Sequence, residues 1–146
     1  MITLEDYLMG RTDGLTPLKL ANATETVQRW NMLLSYYYEE NPGADRVTVR
    51  SGYRTAEINA NTVGSAPNSA HMTCQAMDGS DDNRAFAKWC VKNQSKLAIV
   101  GLWMEEPRAT PNWVHLQTRS THARIFFPDA DWAARLNYKP VTEETL

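Results

Sequence analysis

His71 and Asp78 share the stretch Ser69-Ala70-His71-Met72-Thr73-Cys74-Gln75-Ala76-Met77-Asp78, and His71 is one of 3 histidines in the chain. Asp78 follows small and apolar residues, so it reads as the end of a short buried strand rather than a solvated turn. A second histidine, His115, lies in another apolar, strand-like run, Asn112-Trp113-Val114-His115-Leu116-Gln117. Neutral imidazole and carboxylate together suit a divalent zinc ion, and a loop histidine can converge with carboxylate and imidazole on neighbouring strands. A lone His–Asp pair is more often a hydrogen-bonded structural pair. Spacing by itself leaves both readings standing.

The wider pattern adds to this. Ser51-Gly52-Tyr53-Arg54, then Ser-x-His-x-x-x-x-Ala-x-Asp over 69–78, then Trp-x-His over 113–115 resembles the M15 family of zinc D,D- and L,D-peptidases. That family includes D-Ala-D-Ala carboxypeptidases, dipeptidases and phage endolysins that cut cell-wall peptides. The resemblance spans residues 45 to 118 and keeps the family's order of motifs. It implies that His71, Asp78 and His115 are the zinc ligands and that Arg54 binds a substrate carboxylate or carbonyl. Two positions depart from the family pattern. Cys74 stands where the family usually has glycine, and Asn112 stands where an acidic catalytic residue is usual.

With three protein ligands, zinc keeps an open position for water, lowers its pKa and polarises a scissile carbonyl. A carboxylate must still take the water's proton and pass it to the leaving amine. Asn112 cannot titrate. The nearest acids upstream of His115 are Glu105 and Glu106, and Glu105 closes the strand expected beside it. Glu105 is therefore the expected base, against the alternative that both are solvated loop residues. Ser69 could bond a substrate carboxylate or simply orient the loop. His122, in a polar Arg-Ser-Thr-His-Ala stretch, reads as a surface residue, and Cys74 and Cys90 as buried small hydrophobes.

The remainder of the chain must position these groups. Its 146 residues predict one domain: N-terminal helices over 1–44, a metal-site core over 45–128 and a tail over 129–146. Thr3 with Asp6 predicts a capped helix over 3–9, and Thr16-Pro17 starts a long one to about Glu40, with a break expected near Asn22-Ala23-Thr24. In Tyr36-Tyr37-Tyr38, core packing is favoured over an aromatic binding ledge. Strands are expected over Val47–Arg50, Gly101–Glu105, Trp113–Thr118 and Arg124–Phe127, besides the one ending at Asp78. Helices are expected over Thr55–Thr62 and from Asp82 to Leu97, with a polar, frayed end at Glu143-Glu144. Gly52 is expected to let the backbone turn sharply. The class is α+β, an antiparallel sheet with helices packed against one side.

Composition narrows the function. A net charge of −2 speaks against nucleic acid as a partner. The acidic start lacks the basic region of a signal peptide, and no stretch approaches a membrane span, so synthesis in a cytoplasm and delivery to the wall by other means are expected. Two cysteines make no disulfide framework. The expectation is a zinc-dependent peptidase of phage type acting on peptidoglycan stem peptides, free or associated with virion or lysis proteins. The alternative is a non-catalytic zinc-binding member serving as a virion part.

Overall fold

Thr16 caps the longest helix by accepting the amide of Lys19, and Pro17 sits at its first position, where no amide partner is needed. The computed structural model describes residues 1–146. Helix α1 (Leu4–Leu8) carries the expected capping box between Thr3 and Asp6. Helix α2 (Pro17–Glu40) runs without the break expected at Asn22-Ala23-Thr24. Ala23, Thr26, Trp30, Leu33, Leu34 and Tyr37 are buried along one continuous face, and that burial holds the helix together through its weak formers. Of the three tyrosines, Tyr37 is buried and Tyr36 and Tyr38 pack beside the core, so no aromatic ledge forms.

Five strands make one sheet in the order β1-β2-β4-β3-β5. They are β1 (Val49–Ser51), β2 (Ala76–Ser80), β3 (Trp103–Glu105), β4 (Trp113–Gln117) and β5 (Ile125–Phe126). The first begins two residues later than Val47–Arg50, because Val47 bonds its amide to the Tyr38 hydroxyl rather than to a strand. Asp78 lies in the middle of β2, not at its end. Pairing is antiparallel except at the outer edge, where β5 runs parallel to β3. The α+β class holds, with that one departure from an antiparallel sheet.

Side-chain alternation divides the sheet into two faces. Met77, Met104, Val114 and Leu116 enter the core with Trp30, Phe86 and Leu97 from the helices. The helix expected from Asp82 to Leu97 is two, α4 (Ala85–Lys92) and α5 (Gln94–Val100), broken at Asn93. Asp81 caps the first through the amides of Phe86 and Ala87. Helix α3 (Ala56–Ala60) is short and capped by Thr55, and α6 (Ala130–Arg135) is capped by Asp129. The end of the chain is not frayed. Val141 is buried, Leu146 packs against the core, and residues 143–145 form a single 3-10 turn.

Gly52 does not turn the chain through a left-handed conformation. A Cβ there would lie 1.8 Å from the Tyr7 carbonyl oxygen, so glycine is required by the close approach of α1. Tyr53 then bonds its amide to that same carbonyl, at 3.1 Å. No helix is long and apolar enough to cross a membrane.

Candidate metal centre and cleft

The face opposite the core collects the chemistry. If Met77, Val114 and Leu116 point inward, alternation must turn Asp78, His115 and Gln117 to the other side. Asp78 and His115 are direct cross-strand partners in the β2–β4 ladder. A pair so placed has Cβ atoms about 5 Å apart, close enough for side chains to meet. His71 arrives from the turn-rich segment that precedes β2. Its backbone is tied in, since its carbonyl accepts the Arg54 amide at 3.2 Å and its own amide bonds Ser69 Oγ at 3.2 Å.

One ligand atom from each of His71, Asp78 and His115 lies within 4.8 Å of the others, and all three residues are buried. The rings are aimed by their outer nitrogens. His71 donates from Nδ1 to the Gly52 carbonyl at 2.8 Å, leaving Nε2 turned to Asp78 Oδ1 at 3.3 Å. His115 Nε2 meets Gln117 Oε1 at 2.9 Å, leaving Nδ1 at 2.8 Å from the same carboxylate oxygen. Each imidazole thus spends one nitrogen on an acceptor outside the His-Asp-His group and points the other inward. That donor set, two buried imidazoles and a buried carboxylate converging on one point, fits a zinc ion.

Electrostatics follow from this crowding. Burial pulls the His71 pKa down, outweighing the pull of Asp78. At His115 burial acts the same way, but the Asp78 hydrogen bond and charge prevail and carry it to about 9. Burial opposes ionisation of Asp78, yet the two histidines hold its carboxyl well below the usual carboxylate range.

A cleft of about 670 Å³ opens over the cluster. Arg54 lines it, with Nη2 at 3.6 Å from Asp78 Oδ2 and Nε donating to Ser51 Oγ at 3.1 Å. Glu105, at the end of β3, also lines it, with Oε2 at 3.9 Å from His115 Nδ1. Burial raises its pKa. Ser69 lies in the wall too, its oxygen serving the His71 amide.

The other candidates fall outside the cleft. Glu106 is 2 % exposed and grips Arg108 through both carboxylate oxygens. Neither glutamate is therefore a solvated loop residue. Asn112 is exposed at the turn before β4, where its carbonyl accepts the Asp81 amide. His122 is exposed and Cys74 is buried outside the ligand group.

Two participants escaped the reading of the sequence. The Gly52 carbonyl is a backbone atom and carries no side-chain signal. Gln117 did carry one: it stands two residues after His115 on a strand, hence on the same face. In comparisons with known proteins, the family model described as Peptidase M15 matches residues 13–117, spanning all of α2 as well as the three ligand candidates. No curated protein and no solved structure matches the chain.

Proposed function

The chain belongs to the peptidase M15 family, and on that premise we propose that it is a zinc-dependent peptidase that hydrolyses peptidoglycan stem peptides, as a phage lysin does. One observation carries the reading: His71, Asp78 and His115 converge at the floor of a cleft whose wall holds Glu105. The resemblance to wall-cutting enzymes supports the substrate class. The virion or lysis machinery of a phage is the corresponding setting, with action at the cell wall.

His71 Nε2, an Asp78 oxygen and His115 Nδ1 would hold the zinc. When bound, zinc supplies the Lewis acid that activates water and polarises the scissile carbonyl. Glu105 takes the proton of the attacking water and returns it to the leaving amine. Its raised pKa makes it a stronger base than an ordinary carboxylate, which suits that transfer near neutral pH. Arg54 is anchored by Ser51 and Asp78 and offers its remaining donors to a substrate carbonyl or terminal carboxylate. The Ser69 hydroxyl proton is free to meet a substrate carboxylate, since only its oxygen serves the His71 amide.

The test is release of new amino groups from stem peptides by zinc-loaded protein, abolished by a chelator. Glu105→Gln is expected to lower kcat about 100-fold or more with zinc still bound, as loss of a general base does. A Glu105→Gln protein of wild-type activity would remove the assigned base. Zinc-loaded wild type that cleaves no wall peptide would support the other reading, a zinc-binding virion part, toward which the missing acid at Asn112 points.

A further inference from the structure

Gln117 decides which nitrogen of His115 is free. Its side-chain Nε2 donates to the Arg119 carbonyl at 2.9 Å, so its Oε1 is the atom turned to His115 Nε2. An amide oxygen can only accept. His115 Nε2 must then carry a proton, so the nitrogen whose lone pair a metal ion would take is Nδ1, the one facing Asp78. The opposite tautomer would place a proton between Nδ1 and Asp78, making a plain hydrogen-bonded pair with no nitrogen to offer. Asp78 alone favours that pair. The Gln117 amide opposes it.

The amide is itself well held. Gln117 is buried at 6 % exposure. The Arg119 side chain is pinned by the Asn68 carbonyl at 2.8 Å and Thr73 Oγ1 at 3.0 Å. These anchors belong to the segment that carries His71, so one short network links the mounts of both histidines.

We propose that Gln117 is a positioning residue that sets the Nε2–H tautomer of His115 and so makes Nδ1 the metal-binding atom. The inference rests on the metal-site reading above and adds the residue that makes the site a ligand set rather than a closed pair.

Zinc titration of the full chain against a competing chelator tests it. Gln117→Leu removes the acceptor and is expected to weaken zinc binding 10- to 100-fold, the usual cost of losing a ligand's outer partner. Gln117→Glu keeps an acceptor for His115 Nε2–H but cannot donate to Arg119, and is expected to bind zinc within about threefold of wild type, far closer than the leucine variant. If Gln117 served only to hold the Arg119 turn, the glutamate variant would fail as badly as the leucine one, and the proposal would be wrong. Equal zinc affinity for Gln117→Leu and wild type would also overturn it. Nitrogen-resolved NMR of the zinc-loaded wild type needs no variant: Nδ1 should show the metal shift and Nε2 the proton. Ligation through Nε2 would sink the idea. A wild type that binds no zinc would instead remove the metal-site reading itself.

Discussion

Cys74 adopts a left-handed backbone, φ 59°, at the position where the M15 pattern has glycine. A side chain there costs about 1–2 kcal/mol. Burial offsets the strain, since Cys74 is fully enclosed and its carbonyl accepts the Thr26 hydroxyl at 2.8 Å. Removing the buried Cβ and sulfur loses a similar amount, so Cys74→Gly is expected to change stability by no more than about 1 kcal/mol in urea melts and to leave zinc stoichiometry unchanged. Burial also pushes the Cys74 thiol up to about 11 from its ordinary 9.0. Because the folded pKa is the higher one, the associated stability is complete below pH 9.0 and is lost as pH rises through about 11. Alkylation at pH 8 should label neither cysteine in the native protein and both in denaturant, read by mass. A native adduct at Cys74 would contradict its enclosure. The other departure from the family, Asn112, lies away from the cleft, while Glu105 reaches it from a different strand.

Strands β2 and β4 do most of the positioning, and one glycine governs how they lie. At Gly79 a Cβ would come within 2.6 Å of Val47 Cγ1 and 2.9 Å of the Trp30 ring. Trp30 is fully buried and in contact with Phe86, so its ring has little room to yield. Gly79→Ala should therefore cost about 1–3 kcal/mol of stability, the range for overpacking a core, measured by urea unfolding. Because Gly79 adjoins Asp78, the same variant should also weaken zinc binding. Unchanged stability would mean that α2 can slide on the sheet. The edge strand β5 has a separate task. It pairs with β3 beside Glu105, and the Glu106 amide donates to the Phe126 carbonyl at 2.8 Å, holding Glu105 at the cleft wall.

The three proposed ligands come from a loop and two strands spread over residues 71–115, so metal binding should clamp the entire fold. Zinc at about 100 times its Kd adds about 2.7 kcal/mol to native stability, which for a chain of this size raises Tm by roughly 5–10 °C. The shift should vanish with a chelator and in His71→Ala. A His71→Ala protein that still gained the full shift would place the metal elsewhere. The tail contributes to the same integrity. Arg108, locked onto Glu106, also bonds the Lys139 carbonyl at 2.7 Å and so fastens the C-terminal segment beside the cleft.

Local chemistry along the chain was enough to locate the caps at Thr3 and Thr16, the strand character around Asp78 and His115, and His71, Asp78 and His115 as side chains to be brought together. Each depends on neighbours in sequence or on a period of two, and these are written in residue order. The break at Asn93, the parallel β5 and the burial of Glu106 were not legible there, because each depends on what a segment meets across the fold. Gly52 shows the difference. Its identity suggested a turn, but the reason for it is the Tyr7 carbonyl, 45 residues earlier in the numbering. The convergence of His71, Asp78 and His115 on one point was of the same kind. Sequence supplied the imidazoles and the carboxylate; only the tertiary structure set the Gly52 carbonyl and the Gln117 amide behind the rings, and those acceptors determine which nitrogens face inward.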